Sequence, residues 1–211
     1  MANAALRRLV RRYQRSDHLA PAPLHTERAY QQMLLDVAWR AERGVLLHLD
    51  SCCGVGESTK HWAQQHPDAF VMGVDKSSHR LAKHPHYTEP GVTNYRLYRA
   101  DCSALWPLFV HASWRFEHHN LWYPNPWPKY SQRQRRWYAN PVMAALIRLQ
   151  RRLVVRSNCE WYLEEFAWAL RWWGCDPVMA AWRIRGVSAT PFERKYHASE
   201  QKLWQLSCNF N

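Results

Sequence analysis

The chain has 211 residues and a strong excess of basic side chains: 29 Lys and Arg face 17 Asp and Glu, a formal net charge of +12. Its 47% hydrophobic content is that of a globular protein, and a chain of this length buries enough surface to form a core. The aromatic content, with 13 Trp, 10 Tyr and 6 Phe, excludes an intrinsically disordered chain, and only 7 Gly exclude a collagen-like one.

The sequence shows no membrane, export or metal signal. No stretch approaches the roughly 18 apolar residues of a transmembrane helix, and the N-terminus lacks the apolar segment and cleavage site of a secretory signal. We therefore expect a soluble, cytoplasmic monomer or homodimer with no membrane partner, whose 6 Cys are free thiols. His84-x-His86 and His118-His119 have no Cys or acidic partners at ligand spacing, so no metal is expected.

The basic residues occur in blocks rather than evenly along the chain. Such blocks attract polyanions, which makes RNA a candidate partner, although a solvated basic face gives the same pattern. The blocks are Arg7, Arg8, Arg11, Arg12 and Arg15; Lys129, Arg133, Arg135 and Arg136; and Arg148, Arg151, Arg152 and Arg156.

The hydrophobic patterns predict alternating helices and strands. In chain order, we expect a basic helix within 1–20, a helix at 24–43, a strand at 45–50, a helix at 57–65, a strand at 69–75, a short helix from Ser77, strands at 92–99 and 118–123, a helix at 136–149 with Pro141 near its start, a strand at 153–157 and a helix at 160–173. Two last strands are expected within 177–208, around a loop at 187–200. We assign residues 1–20 to a basic extension and 21–211 to a single α/β domain.

This alternation predicts a parallel sheet with right-handed crossovers, in which ligands bind outside the carboxyl ends of the strands. The first of these ends is Asp50-Ser51-Cys52-Cys53-Gly54-Val55-Gly56, where glycines let the backbone turn tightly and approach a ligand. Asp75 and Asp101 end the next two strands. A carboxylate at Asp75 suits the ribose hydroxyls of an adenosine, and Asp101 suits its exocyclic amine.

Two adenosine cofactors fit this pattern, and S-adenosylmethionine fits better than NAD. NAD favours a third glycine, which here is Thr59, and Glu57 would repel its pyrophosphate. S-adenosylmethionine carries no phosphate and is cationic, which suits Asp50. The alternative is that the three acids only cap strands.

A proline-rich loop follows the fourth predicted strand, with the sequence Tyr123-Pro124-Asn125-Pro126-Trp127-Pro128-Lys129. The prolines restrict the loop and fix Asn125, whose amide oxygen could accept from a nucleobase amine. Trp127 offers a stacking surface, and the basic residues from Lys129 onward suit phosphate. A rigid surface turn with a core Trp127 is the alternative.

Together with Arg135-Arg136 and with Thr190-Pro191-Phe192-Glu193 near the C-terminus, these motifs resemble the tRNA (guanine-N7)-methyltransferases, over roughly residues 45–208. The resemblance implies a Rossmann-like, seven-stranded, mostly parallel α/β sheet with helices on both faces and an antiparallel C-terminal strand pair, so that 21–211 is a class I methyltransferase domain that uses S-adenosylmethionine and binds RNA, most simply tRNA. By this resemblance, Asp50, Asp75 and Asp101 contact the cofactor, and Lys129 with Thr190, Phe192 and Glu193 line the substrate side. From their positions in the same loops we add Cys52, Gly54, Gly56, Lys76, Cys102 and Asn125 as cofactor candidates and Trp127, Arg135, Arg136 and Asn158 as substrate candidates, with Asn125 as the catalytic residue.

The chain departs from the family at two acids: Asn125 and Asn158 stand where the family has acidic residues. Guanine N7 is already a nucleophilic lone pair, so losing an acid would weaken positioning without abolishing transfer. Asn125-Pro126-Trp127 also resembles the Asn-Pro-Pro-aromatic motif of amino-group methyltransferases. Two alternatives therefore remain, a catalytically impaired RNA-binding paralogue and a methyltransferase for a different amine or small molecule.

Overall fold

The computed structural model describes residues 2–14, 21–84, 91–184 and 186–210, which form one α/β sheet structure. The strands are β1 (Leu46–Ser51), β2 (Ala69–Asp75), β3 (Tyr95–Arg99), β4 (Phe116–Trp122), β5 (Gln150–Ser157), β6 (Val178–Trp182) and β7 (Leu203–Asn209). The helices are α1 (Ala2–Tyr13), α2 (Leu24–Ala41), α3 (Glu57–Gln65), α4 (Ser78–Leu81), α5 (Cys102–His111), α6 (Met143–Leu146), α7 (Glu160–Trp172) and α8 (Pro191–Ala198). Within the described residues, 3₁₀ helices lie at Tyr130–Arg135 and Trp137–Ala139.

The seven strands have the order β3-β2-β1-β4-β5-β7-β6. The first five are parallel to their neighbours, and β7 runs antiparallel to both β5 and β6. This confirms the predicted fold class. The strand order reverses between β1 and β4, and such a reversal opens a crevice at the carboxyl ends of the strands.

One hydrophobic core joins the sheet to its helices, and α1 belongs to it. Leu6 and Val10 of α1 are buried in the same cluster as Phe166 of α7. The Gln14 side chain donates to the Trp172 carbonyl at the end of α7. The boundary predicted after residue 20 stays a prediction, since 15–20 lie outside the described residues. No helix in the described part of the chain is long and apolar enough to cross a membrane.

Three segments differ from the sequence-based expectation. The region predicted as one helix at 136–149 is a 3₁₀ turn followed by the four-residue α6, because Pro141 interrupts the helical hydrogen bonds. The patterns place no helix between 101 and 118, yet α5 forms there, capped by Asp101, whose side chain accepts from the Ser103 N–H. The loop predicted at 187–200 contains α8.

Candidate active site

The loop after β1 is shaped by two glycines with left-handed backbones. Gly56 has φ +80° and begins α3, and a Cβ at this position would lie 2.3 Å from Cδ1 of Leu97. Gly54 has φ +63°, and a Cβ there would meet no atom within 4 Å. Only a residue without a side chain fits at Gly56, whereas Gly54 faces open space that a ligand could enter.

Asp50 lies at the floor of this loop and is 1% exposed. Its Oδ2 accepts from the Ser58 and Thr59 hydroxyls, both at 2.7 Å, whereas Oδ1 is buried without a hydrogen-bond partner among the described residues. Burial raises the pKa of Asp50 to about 6. A buried carboxylate oxygen without a partner is costly, so this atom is suited to a donor or cation from outside the chain.

Asp75 and Asp101 occupy the ends of the next two strands, as predicted from the sequence. Asp75 is buried, and its Oδ2 accepts from the Gly54 N–H at 3.0 Å, which ties the end of β2 to the glycine loop. Asp101 is half-buried, and Oδ1 accepts from both the N–H and the hydroxyl of Ser103.

The other predicted cofactor residues differ in exposure. Lys76 is exposed directly after β2. Cys52 is half-buried with φ +61° in the glycine loop, and Cys102 is buried at the start of α5. Both are free thiols.

The proline loop presents an exposed Asn125 in a fixed orientation. Its Oδ1 accepts from the Trp127 N–H at 3.1 Å. Since a backbone N–H can only donate, this contact assigns the oxygen, and the amide Nδ2 is the donor that a ligand could meet. Trp127 itself has φ +47°, and the Arg135 guanidinium lies 4.8 Å from its ring centroid.

Arg136 holds the proline loop from behind. It is only 7% exposed; its Nε donates to the Trp127 carbonyl at 3.1 Å, and its Nη1 lies 2.8 Å from Glu165 of α7. The guanidinium is therefore engaged with protein groups, and its contribution to substrate binding would be indirect, through the shape of the loop.

Glu193 is also buried and fully engaged. Its Oε1 accepts from Arg156 and from the Tyr123 hydroxyl, both at 3.0 Å, and its Oε2 accepts from the Ala189 N–H at 2.8 Å. Burial raises the pKa of Tyr123, with the Glu193 charge adding to the effect. These bonds join α8 to the ends of β4 and β5.

The remaining predicted substrate residues lie around the carboxyl ends of β4 and β5 or in the proline loop. Lys129 and Arg135 are exposed, and Phe192 is 43% exposed and stacked with Tyr123 at 6.2 Å between ring centroids. Thr190 is buried as the N-cap of α8, where its hydroxyl accepts from the Glu193 N–H. Asn158 donates through Nδ2 to Gln201.

The sequence placed Arg156 in a basic block but did not identify it as part of the site. Arg156 is a buried side chain between two indole rings, 3.8 Å from the Trp122 centroid and 3.6 Å from that of Trp182. No local pattern marks such a pairing. For α8, by contrast, a signal existed, because Thr190-Pro191-Phe192-Glu193 has the spacing of a capping box with proline at the first helical position.

The described residues contain no group of three or more His, Cys, Asp or Glu side chains that could hold a metal ion. His86, part of one predicted His pair, lies outside them. Buried His119 bonds instead to Gln150 and Ser51, at 2.9 and 2.8 Å.

The comparison with known families agrees with this site. Residues 45–170 match the family model described as "Putative methyltransferase". The chain belongs to this methyltransferase family. A tRNA (guanine-N(7)-)-methyltransferase from Agrobacterium fabrum is 30% identical over 104 residues, which is 49% of this chain and 44% of that protein. The match therefore spans less than half of the relative. Together, family model and relative confirm the resemblance stated above, and the low identity marks a divergent member.

Solved structures of similar fold are methyltransferases as well. The 16S rRNA methyltransferase KamB is 18% identical with a TM-score of 0.60, covering 83% of this chain and 94% of its own. A 16S rRNA (adenine(1408)-N(1))-methyltransferase from Catenulisporales acidiphilia, solved with cosubstrate SAM, is 14% identical with a TM-score of 0.58, covering 82% and 91%. At these identities the likeness establishes the fold alone.

Proposed function

We propose that the protein is a cytoplasmic S-adenosylmethionine-dependent methyltransferase that acts on RNA, at N7 of guanine in tRNA. The observation that supports this choice of cofactor is the unpartnered Oδ1 of Asp50 below the glycine loop. An ammonium group would satisfy it, and the space at Gly54 would admit the cofactor against the backbone.

The residues present fit this cofactor. Asp50 would hold its amino group, Gly54 and Gly56 would give access to the backbone, and Asp75 and Asp101 would accept from the adenosine. The bound cofactor supplies an electrophilic methyl group. The half-buried Cys52 and the exposed Lys76 would flank it.

Guanine N7 fits the proline loop of this chain. Asn125 presents its Nδ2 donor, and guanine carries an acceptor, O6, beside N7, whereas adenine carries a donor there. The N7 lone pair would take up the methyl group that the bound cofactor supplies. No proton leaves the base, so a site without a general base suffices.

This geometry favours guanine over an amine acceptor. An amine would need an acceptor oxygen, and one of the two lone pairs of the Asn125 oxygen is already used by the Trp127 N–H, whereas guanine O6 would use the amide Nδ2 as donor. The exposed Phe192 and the half-buried Tyr196 add an aromatic surface for a base, with ring centroids 6.1 Å apart. The chain's +12 net charge and the exposed Lys129 and Arg135 suit the phosphates of RNA.

The test is calorimetry with S-adenosylmethionine, followed by transfer of its labelled methyl group to unmodified tRNA transcripts and mass spectrometry of the digested nucleosides. We expect binding that Asp75→Ala weakens at least tenfold, with Asp68→Ala, an exposed acid outside the site, as control. If the protein does not bind S-adenosylmethionine, the proposal that it is a methyltransferase is wrong. Methylation of another base or atom overturns the N7 assignment. RNA binding without transfer supports the impaired paralogue.

A further inference from the structure

The first helix has two opposite faces with different surroundings. Leu6, Leu9, Val10 and Tyr13 are buried, in positions spaced along one side of α1. Arg7, Arg8, Arg11 and Arg12 project from the other side and are all exposed. We call these four arginines the α1 stripe. Since the buried side fixes the helix in the core, the stripe is held in place rather than carried on a loose segment.

The charges of the α1 stripe have no partner within the helix or among the described ion pairs. The sequence of α1 contains no Asp or Glu. None of the ion pairs between described residues includes any of the four arginines. Four arginines close together on one surface repel one another, so a bound polyanion would stabilise the arrangement.

Helix α1 packs against the elements that hold the proline loop in place. Helix α1 packs against α7 and against the 3₁₀ helix Trp137–Ala139, which directly follows Arg136. Arg136 bonds to the Trp127 carbonyl in the proline loop. Helix α1 is thus linked, through the 3₁₀ helix and Arg136, to the loop before the exposed Lys129 and Arg135, and it carries its arginines along ~18 Å at 1.5 Å per residue.

We propose that the α1 stripe binds the phosphate backbone of a folded RNA whose target base lies at the proline loop. This inference rests on the proposed function and adds a substrate class to it: an RNA with a backbone that continues ~18 Å beyond the modified base, not a nucleoside or short oligonucleotide. Each arginine that neutralises a phosphate releases counterions, so the contact has a measurable salt dependence.

The test compares two variants of equal charge. One carries Arg7→Gln, Arg8→Gln, Arg11→Gln and Arg12→Gln, and the control carries Arg28→Gln, Arg148→Gln, Arg152→Gln and Arg183→Gln, exposed arginines of other elements. Both have a formal net charge of +8 (12 − 4). We expect the stripe variant to bind tRNA transcripts at least tenfold more weakly at 0.15 M salt, with the slope of log K against log salt reduced by about 3. The control should stay within threefold of wild type.

Further readouts separate this inference from the proposed function. S-adenosylmethionine affinity and thermal stability should be unchanged in both variants, and a five-nucleotide RNA should bind all three proteins equally. Equal losses of tRNA affinity in both variants would show an effect of net charge alone and would contradict the proposal that the α1 stripe binds RNA. The absence of a loss in both variants would contradict it as well. Failure of wild type to bind the cofactor would refute the proposed function, and the RNA comparison would still decide the stripe.

Discussion

Arg156 of β5 and Glu193 of α8 form a buried ion pair, with Nη1 and Oε1 3.0 Å apart and the side chains 8% and 2% exposed. The pair lies 37 residues apart in the sequence and fastens α8 to the edge where the strands end. We expect Glu193→Gln to destabilise the protein by ~3 kcal/mol, because it leaves a buried guanidinium without its counter-charge. Urea unfolding measures this loss.

A double variant shows whether the charge is responsible. Arg156→Gln combined with Glu193→Gln removes both charges, and it should be more stable than Glu193→Gln alone. If the loss of unfolding free energy in the double variant equals the sum of the losses in Arg156→Gln and Glu193→Gln, the two charges do not stabilise each other.

The two loop glycines should respond differently to the same substitution. Gly56→Ala brings a Cβ to 2.3 Å from Leu97 at φ +80°, so we expect a loss of ~3 kcal/mol in unfolding free energy. Gly54→Ala meets no atom, so it should lose only ~1 kcal/mol from its left-handed backbone but bind S-adenosylmethionine at least tenfold more weakly. Calorimetry on the folded Gly54→Ala protein measures this affinity. An unchanged affinity would mean that the cofactor does not bind against the backbone at Gly54.

Cofactor binding should depend on pH through Asp50. Burial raises the pKa of this carboxyl to about 6, so it is mainly ionised at pH 7 and mainly protonated at pH 5. A cationic group binds the ionised form, and we expect affinity to fall about tenfold between pH 7 and pH 5. Asp50→Asn should bind weakly with a flat profile, whereas Asp101→Asn should keep the slope. A flat wild-type profile would contradict the role of Asp50.

Acid should destabilise the fold through buried histidines. Burial lowers the pKa of His119 to about 4, below its unfolded value near 6.5. The unfolded chain then binds the proton first, so this stabilisation is complete above pH 6.5 and is lost as pH falls to 4. The contribution is on the order of 3 kcal/mol.

The variant His119→Gln isolates that contribution. Wild type should lose more unfolding free energy than the variant between pH 7 and pH 4, as measured in urea. The comparison is needed because the raised pKa of Asp50 acts in the opposite direction. Equal pH slopes would mean that His119 titrates normally.

Asn125→Asp tests which end of the side chain meets the base. The carboxylate can still accept from the Trp127 N–H, but it cannot donate to guanine O6. We expect kcat/KM for tRNA to fall about tenfold with cofactor affinity within threefold, and Asn158→Asp to have a smaller effect. An increase in activity would show that the base is held by an acceptor.

Local patterns in the sequence were enough to predict the sheet and the residues at the ends of its first three strands. Two apolar runs that end in Asp50 and Asp75, and a third strand that ends before Asp101, predict parallel strands with chemistry at one edge, and β1, β2 and β3 have that arrangement. Helix α5 was not predicted because it is apolar on most sides and contains Pro107, which hides its periodicity.

Contacts between distant segments could not be predicted in the same way. The sequence identified Glu193 and Arg136 by resemblance, but not that both would be buried. That burial depends on partners in other elements, Arg156 for the first and Glu165 for the second. Hydrogen bonds between side chains 29 or 37 residues apart have no periodic signature.

Because Arg136 anchors the proline loop, the shape of the loop and the contacts that it offers to a base depend on different residues. Asn125 is exposed and accepts from the Trp127 N–H, so a substitution such as Asn125→Asp, which keeps an acceptor there, would alter the proposed contact to a base and keep the loop's shape. Glu165 is the α7 partner of that guanidinium, and exchanging it would distort the loop without changing the proposed contacts to a base. New acceptor specificities can therefore arise by single substitutions on the loop, provided that the Arg136–Glu165 pair stays intact.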